Sequence, residues 1–271
     1  MAGPVEAPAG LFAGGLSDDA FLGGRLRLWQ PRAGYRAATD PVLLAAAVPA
    51  RAGEAVLELG CGAGAAVLCL AARVAGLALA GVERQPAYAA LARANASRNG
   101  VALEVFEADL ARLPPALRGR GFDHVLANPP WFAAAAPPAR DAGRDAAQRE
   151  DTPLALWVEV ALRRLRPRGR LTLIAPAERL PGLLAALGER ASATVLPLAA
   201  RTGRPAGRVI LQARKGARSP FRLLAPLVLH AGPEHVADGE DFTPEAREIL
   251  RDAAPLRLEA RATRAARAPL R

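Results

Sequence analysis

Several residue types that mark particular protein classes are scarce in this sequence. It has two cysteines, three histidines and one methionine in 271 residues, and aromatic residues make up 4%. Two cysteines, Cys61 and Cys69, provide neither a disulfide framework nor the spacing of metal ligands, and the scattered histidines suggest neither a metal site nor a catalytic triad. We therefore expect no bound metal and a reducing, cytoplasmic location.

Long hydrophobic runs are also lacking. The longest apolar stretches, Leu43–Pro49 and Ala65–Ala72, are too short to span a bilayer. The N-terminus has no basic flank followed by a hydrophobic segment, so we expect neither a signal peptide nor a membrane partner. Apolar residues make up 51% of the chain, which is typical of a globular protein with a large core.

Lysine is nearly absent, yet the sequence is strongly basic. Lysine and arginine together number 36 against 26 acidic residues, a net charge of +10, and Lys215 is the only lysine. An arginine-rich surface favours phosphate-bearing partners such as RNA, because the attraction does not depend on nucleotide sequence. A composition rich in Ala, Arg, Gly and Pro can also reflect coding bias, so charge alone favours nucleic acid without establishing it.

The most informative stretch is Asn128-Pro129-Pro130-Trp131. It ends the apolar run Phe122–Ala127, which is typical of a buried parallel strand. Each proline restricts the residue before it, so Asn128 and Pro129 are held stiffly at the carboxyl end of this strand, where α/β sheets bind ligands. There the Asn128 amide and the Pro129 carbonyl are two acceptors for an NH2 group, and Trp131 offers a flat face for a planar group. An ordinary strand-terminating turn is the alternative.

This tetrapeptide resembles the Asn-Pro-Pro-aromatic motif of S-adenosylmethionine-dependent methyltransferases that modify exocyclic or amide nitrogens. Upstream, the predicted strand Ala55–Leu59 leads into glycines spaced G-x-G-x-G, which resembles the first motif of class I methyltransferases. The dinucleotide fingerprint has its third glycine one residue later. The resemblance implies S-adenosylmethionine as cofactor, with Glu58 near its amino group and the loop residues Gly60, Cys61, Gly62 and Gly64 near its methionyl part. A structural turn and a nucleotide loop are alternatives.

Acidic residues follow the next two predicted strands. Glu83 ends the strand Leu77–Val82 and is placed to accept hydrogen bonds from both ribose hydroxyls of the cofactor. Asp109, followed by Leu110, lies just past the strand Leu103–Phe106, within reach of the adenine amino group of the cofactor. A solvated strand-end glutamate and a helix cap are the structural alternatives. Because suitable residues follow four successive strands in order, we favour one shared cofactor site.

A further candidate segment, Thr39-Asp40-Pro41, precedes the glycine loop. Asp40 before Pro41 predicts the start of a helix, with the acid as N-cap. Capping is one role for Thr39 and Asp40. The other is contact with the cofactor, if the loop from Gln30 onward folds back over it.

The order of the elements predicts an α/β fold, with a seven-stranded Rossmann-like sheet of the class I methyltransferase type and helices on both faces. We divide the chain into residues 1–50 (a loose leader to residue 18, a hairpin and a capping helix), residues 51–251 (the methyltransferase domain) and residues 252–271 (a basic tail, frayed or ordered by RNA). Residues 132–151 are a mobile lid or a surface loop. Basic residues gather at the last hairpin, where a phosphate backbone fits: Arg201, Arg204, Arg208, Arg214 and Lys215.

From about Gln30 to Arg251 the sequence resembles the bacterial tRNA(Val) adenine N6-methyltransferases, a small-methyltransferase-domain family. The resemblance is carried by Gly34–Leu44, Glu58–Gly64, Glu83, Asn95, Asn99, Asp109, Asn128–Trp131, Gly207–Leu211 and Thr243-Pro244-Glu245. Trp131 replaces the usual tyrosine, and the alanine run Ala133–Ala136 replaces a more polar lid. The resemblance implies that the methyl acceptor is a tRNA adenine near the anticodon.

The implied chemistry depends on positioning. Asn128 and the Pro129 carbonyl would accept hydrogen bonds from the adenine N6 amino group, and Trp131 would stack on the extruded base. The alternatives are a glutamine N5-methyltransferase acting on a release factor, another rRNA or DNA amino-methyltransferase, and a non-catalytic RNA-binding module. We expect a monomer, with an oligomer left open.

Overall fold

The computed structural model describes residues 6–8, 10–130, 132–133, 149–150, 152–232, 234, 241–259 and 261. Its strands are β1 Leu16–Phe21, β2 Leu26–Pro31, β3 Ala55–Leu59, β4 Ala78–Glu83, β5 Leu103–Glu107, β6 Phe122–Ala127, β7 Phe132–Ala133, β8 Arg149–Glu150, β9 Leu165–Pro176, β10 Ala191–Ala199, β11 Ala206–Lys215, β12 Arg222–Leu223 and β13 Leu227–Val228. Its α-helices are α1 Thr39–Ala47, α2 Ala65–Arg73, α3 Pro86–Arg98, α4 Pro115–Arg118, α5 Leu154–Arg164, α6 Leu180–Leu187 and α7 Pro244–Asp252.

The central sheet has the order β12-β10-β11-β9-β6-β3-β4-β5, and β13 also pairs with β10. Strands β5, β4, β3, β6 and β9 are parallel, whereas β11 is antiparallel to both of its neighbours. The chain passes from β3 to β4 on one side and later returns to β6 on the other side. Strands β3 and β6 therefore flank the switch in strand order at which α/β sheets bind ligands.

The predicted α/β sheet is confirmed, with a difference at one edge. The described residues form a nine-stranded sheet in place of the predicted seven, because β12 and β13 are added beside β10. The apolar run Leu223–Leu229 is long enough for a single strand. Pro226 lies between β12 and β13, and a proline cannot donate to a sheet ladder, so the segment pairs as two short pieces.

Two layers of helices cover the sheet. On one face, α1, α2 and α7 pack with strand residues such as Val56 and Ile210, and on the other face α5 and α6 pack with Leu57 and Leu211. Neighbouring residues of a strand point to opposite faces, so strands covered on both sides are apolar throughout. This explains why Phe122–Ala127 is recognisable from sequence as a buried strand, and its predicted bounds coincide with β6.

The predicted N-terminal hairpin is present as β1 paired with β2. Asn95 of α3, which is fully buried, accepts a hydrogen bond from the Trp29 N–H (2.8 Å) and donates to the carbonyls of Trp29 (3.0 Å) and Ala63 (3.0 Å). One turn later Asn99 makes the same pair of bonds to exposed Arg27, at 3.1 and 2.8 Å. The two side-chain amides therefore bond to the backbone of β2 in the way that a neighbouring strand would. Asn95 also links β2 to the glycine loop through its bond to Ala63.

We expect Asn95→Ala to lower the free energy of unfolding by about 2–4 kcal/mol, because three buried backbone groups lose their partner. Urea denaturation measures this. Asn99→Ala is the matched control: it removes the same bonds where water can replace them, so its loss should stay below about 1 kcal/mol. Equal losses in the two variants would show that burial of the Asn95 bonds does not matter.

Residues 16–18 and 256–258, which lie near the two chain ends, are more closely packed than their composition indicates. Strand β1 begins at Leu16, so the prediction of a loose leader is wrong for residues 16–18. In the predicted tail, Leu256 and Leu258 are buried, and the Leu256 N–H donates to the Ala46 carbonyl at 2.9 Å. The prediction of a frayed end is therefore wrong for this part. The three-part division remains a prediction, and residues 262–271 lie outside the described residues.

Two further predictions concern loops and membranes. The predicted lid, residues 132–151, lies outside the described residues apart from β7 and β8, which pair in parallel. Among the described helices, none combines the length and the apolar character needed to cross a bilayer. The described residues also contain no group of three or more His, Cys, Asp or Glu side chains able to hold a metal ion.

Candidate active site

A cleft of about 1150 Å³, its open mouth included, lies at the carboxyl ends of β3, β4 and β6. Its lining includes most of the residues predicted from sequence: Glu58, Gly60, Cys61, Gly62, Glu83, Asp109, Leu110, Asn128, Pro129 and Pro130. The carboxyl ends of neighbouring parallel strands meet at one edge, which brings these distant residues together. Trp131 lies outside the described residues, so its stacking role remains a prediction.

Three residues predicted to contact the cofactor do not line this cleft. Helix α1 begins at Thr39 with Ala38 as N-cap, so Asp40 lies in the first turn and does not cap it, and its carboxylate pairs with Arg208 Nε at 3.2 Å. Thr39 lines a separate pocket. Gly64 is the N-cap of α2 with φ of 85°, and a side chain there would contact Leu68 and Ala92. The N-cap role predicted for Asp40 is therefore wrong, and cofactor contact by these three residues remains a prediction.

The glycine loop is shaped by close contacts. Gly60 has φ of 64°, and a Cβ atom there would lie 2.6 Å from the ring of Trp157, so only glycine fits. Gly62 has φ of 53° and nothing within 4 Å of a Cβ position, so its backbone is open to the cleft. Trp157 is almost fully buried, and its indole N–H has no partner among the described residues.

Glu83, at the end of β4, fixes the other side of this loop. Its carboxylate accepts hydrogen bonds from the backbone N–H of Gly62 (2.9 Å) and of Gln85 (2.8 Å). A carboxylate has about four acceptor positions, so positions remain for hydroxyl groups of a ligand. Burial raises the pKa of Glu83, while the backbone hydrogen bonds oppose this shift.

Glu58, at the end of β3, is a buried carboxyl group beside Glu83. It accepts a hydrogen bond from the Val67 N–H at 2.9 Å in the first turn of α2. Burial raises the pKa of Glu58 to about 8, and the charge of Glu83 adds to the shift. A pair of buried acidic groups favours a cationic ligand. A positive charge in the cleft would lower the raised pKa values of both groups and so stabilise their ionised forms.

The raised pKa of Glu58 predicts a pH dependence of stability. Folding favours the protonated carboxyl group, so this contribution is complete below the ordinary pKa of 4.5 and is lost as the pH rises through about 8. The free energy of unfolding of the ligand-free protein should fall by a few kcal/mol over this window. Denaturation at several pH values tests this, and Glu58→Gln should flatten the curve. The same slope in both proteins would contradict the assignment.

Asn128 and the two prolines after β6 form the end of the cleft beside that strand. The Asn128 side chain donates through Nδ2 to the Tyr35 hydroxyl at 3.4 Å. Tyr35 belongs to the loop between β2 and α1, and its backbone N–H and carbonyl both bond to the Tyr88 hydroxyl, at 2.9 and 3.1 Å. Tyr35 and Ala37 of this loop line the cleft, and contact of the loop with the cofactor remains a prediction.

Asp109 caps a turn and also lines the cleft, while its contact with adenine remains a prediction. Its Oδ1 accepts a hydrogen bond from the Ala111 N–H at 2.8 Å, which caps the 3₁₀ turn Leu110–Arg112. The same residue lines the cleft with Leu110. The cap holds the side chain at a fixed position at the edge of the cleft.

Several lining residues were not predicted as site residues: Gln30, Tyr35, Ala37, Pro41, Thr152 and Trp157. Gln30 can be recognised in the sequence, because it follows Leu26 and Leu28 in the alternation of the strand and is polar where they are apolar. It is 2% exposed, and it both donates to the Ala37 carbonyl (3.2 Å) and accepts from the Ala37 N–H (2.6 Å). Trp157 belongs to the core and also lines the cleft.

The predicted phosphate surface at the last hairpin is largely occupied by the protein itself. Arg201 pairs with Asp241, Arg208 pairs with Asp40, and Lys215 donates to the Leu165 carbonyl at 2.7 Å. These three side chains therefore bond to acidic and carbonyl groups of distant segments, and a phosphate contact at the hairpin remains a prediction. Arg204 is exposed.

Comparisons with known proteins agree with this geometry. The family model of the methyltransferase small domain matches residues 38–182. The chain belongs to the methyltransferase small domain family. It is 32% identical over 203 residues to the tRNA1(Val) (adenine(37)-N6)-methyltransferase of Dickeya chrysanthemi, covering 72% of this chain and 78% of the relative. It is 30% identical over 254 residues to the protein of the same name from Porphyromonas gingivalis, covering 86% and 98%.

A solved methyltransferase structure is also similar. The predicted O-methyltransferase Atu636 of Agrobacterium tumefaciens superposes with a TM-score of 0.65 at 26% identity, covering 80% of this chain and 98% of that chain. The expected methyltransferase fold is confirmed. The protein is an S-adenosylmethionine-dependent methyltransferase.

The cleft of this methyltransferase fits S-adenosylmethionine, which supplies a methyl group activated by a positively charged sulfur. The buried acidic pair Glu58 and Glu83 suits a cation. Gly62 leaves its backbone accessible, and a side chain at this position would project into the cleft. The remaining acceptor positions of Glu83 suit ribose hydroxyls.

Proposed function

We propose that this methyltransferase modifies the N6 amino group of an adenine in tRNA. The observation that carries the proposal is the position of Asn128, at the end of β6 and on the wall of the cleft, followed by two prolines that also line it. Methylation of an NH2 group needs rigid acceptors beside the methyl donor, and this segment provides them. The names of the two relatives support tRNA as the acceptor.

The cofactor end of the cleft is proposed to work as follows. Glu83 accepts hydrogen bonds from the two ribose hydroxyls, and Glu58 lies towards the amino group, directly or through water. Asp109 accepts from the adenine amino group, and Leu110 packs on the ring. Gly60, Cys61 and Gly62 form the wall along the methionyl part, since all three line the cleft.

The end of the cleft formed by Asn128 and the two prolines, here called the acceptor end, aims the amino nitrogen that receives the methyl group. The Asn128 side-chain oxygen and the Pro129 carbonyl accept the two hydrogens of the amino group, which directs the nitrogen lone pair at the methyl group. Pro130 keeps this carbonyl in place, and Trp131 stacks on the base, which leaves its loop stack to enter the cleft. The new N–C bond would form as the bond from sulfur to the methyl group breaks, the thioether product would leave, and the nitrogen would release one proton to water. A strong electrophile makes a tuned general base unnecessary, so position and electrostatics provide the catalysis.

The acceptor is tested by incubating the protein with labelled S-adenosylmethionine and total cell extract, with and without ribonuclease. We expect the label in RNA, its loss after ribonuclease, and N6-methyladenosine after digestion of the RNA to nucleosides. An Asn128→Ala sample controls for other methyltransferases in the extract. Label that stays in protein after ribonuclease would instead support a glutamine methyltransferase, because a side-chain amide offers a similar NH2 group. Label in DNA or rRNA would support the other amino-methyltransferases.

A further inference from the structure

The Tyr35 side chain lies at the acceptor end of the cleft and has no role in the proposed reaction. Its hydroxyl oxygen is 3.4 Å from Nδ2 of Asn128 and accepts a hydrogen bond from it. Tyr35 reaches this position from the loop between β2 and α1, about ninety residues earlier in the chain. A group so close to the amide that would hold the amino group is also within reach of the atoms beside that amino group.

The hydroxyl hydrogen of Tyr35 has no acceptor among the residues that the structure describes. The other hydrogen bonds of Tyr35 involve its backbone, which the Tyr88 hydroxyl holds at 2.9 and 3.1 Å. Burial raises the pKa of the Tyr35 phenol, and the charges of Asp40 and Glu58 add to the shift. The hydroxyl therefore keeps its hydrogen at working pH, and its backbone is fixed without help from the hydroxyl.

We propose that Tyr35 determines acceptor specificity by donating this hydrogen to the ring nitrogen next to the amino group that is methylated. The proposal rests on the proposed function. Adenine has an acceptor nitrogen on each side of N6, namely N1 and N7. Asn128 accepts from the amino group while Tyr35 donates to one of these nitrogens, so the two side chains together recognise an adjacent donor and acceptor on the base.

The test compares the natural protein with Tyr35→Phe on three substrates. These are tRNA1(Val) carrying adenosine, 1-deazaadenosine or 7-deazaadenosine at the position that the relatives' name gives, 37. On adenosine, Tyr35→Phe should lower kcat/KM by roughly tenfold to a hundredfold, because an acceptor loses its donor. On the analogue that lacks this nitrogen the two proteins should be equally active. Cofactor affinity, measured by calorimetry, and thermal stability should be unchanged.

The outcomes separate the two proposals. If Tyr35→Phe loses the same factor on all three substrates, or loses nothing on adenosine, Tyr35 does not read a ring nitrogen and the inference is overturned. If the natural protein leaves adenosine in this tRNA unmethylated, the proposed function itself fails, and the inference fails with it. A loss on adenosine that disappears with one analogue supports both.

Discussion

Asn128→Ala should lower kcat for methyl transfer by roughly a hundredfold to a thousandfold or more, with S-adenosylmethionine affinity within about threefold of the natural protein. The substitution removes the side-chain acceptor for the amino group, and the Pro129 carbonyl alone leaves that group free to rotate. Asn128 is only partly buried at a strand end, so the fold should be kept. Transfer of labelled methyl groups measures kcat, and calorimetry measures affinity.

The control for this variant is Asn99→Ala, which removes an asparagine amide from the same protein far from the acceptor end. Its methyl transfer should match that of the natural protein. If Asn128→Ala keeps its turnover, Asn128 does not hold the amino group and the proposed role is wrong. If both kcat and cofactor affinity collapse, the residue supports the cofactor site and does not act on the acceptor.

Glu83→Gln should weaken S-adenosylmethionine binding by roughly a hundredfold, with a smaller change in kcat at saturating cofactor. The charged acceptors for the ribose hydroxyls are lost. The new side-chain NH2 also meets the backbone N–H of Gly62 or Gln85, which now bond to the carboxylate. Calorimetric titration of the cofactor measures the effect.

Glu107→Gln is the matched control for Glu83→Gln. Glu107 ends the neighbouring strand β5 and pairs in register with Glu83, but it is exposed and lies outside the cleft lining. Its substitution should change cofactor affinity by less than about twofold. Similar losses in the two variants would show that general surface charge, and not the carboxylate in the cleft, attracts the cofactor.

Much of the cofactor side of the cleft could be predicted from sequence, because its residues follow directly after strands. Glu58, Glu83, Asp109 and Asn128 each lie at or next to the carboxyl end of a parallel strand, and the sheet brings such ends together without further information. The short apolar runs and the glycine spacing were enough to place these residues. The cleft lining contains all four.

The acceptor side could not be completed in this way, because it depends on contacts between distant segments. Tyr35 and Asn128 are 93 residues apart in the sequence and are joined by a hydrogen bond. Arg208 and Asp40, which also bond to each other, are 168 residues apart. Local rules gave Asp40 a capping role, whereas its tertiary partner decides where the carboxylate points. Trp157 fitted an apolar helix stripe, and nothing in that stripe indicates that its ring also contacts the glycine loop.

The basic composition was the least informative feature. Arginines at the last hairpin suggested an RNA surface, yet Arg201 and Arg208 form ion pairs within the protein. The arginines of the C-terminal segment likewise suggested a frayed basic tail. Leu256 and Leu258 in the same segment alternate with polar residues and pack into the core. Charge counts show how many cations a chain has, and only the fold shows which of them are available to a partner.

The central claim is that the methyl donor binds across the ends of β3, β4 and β5 and faces Asn128 at the end of β6. A crystal structure with S-adenosylhomocysteine tests it most directly. We predict the ribose hydroxyls within hydrogen-bond distance of Glu83 and the sulfur turned towards the Asn128 side chain. A ligand bound elsewhere, or an Asn128 side chain turned away from the sulfur into the protein interior, would contradict the account.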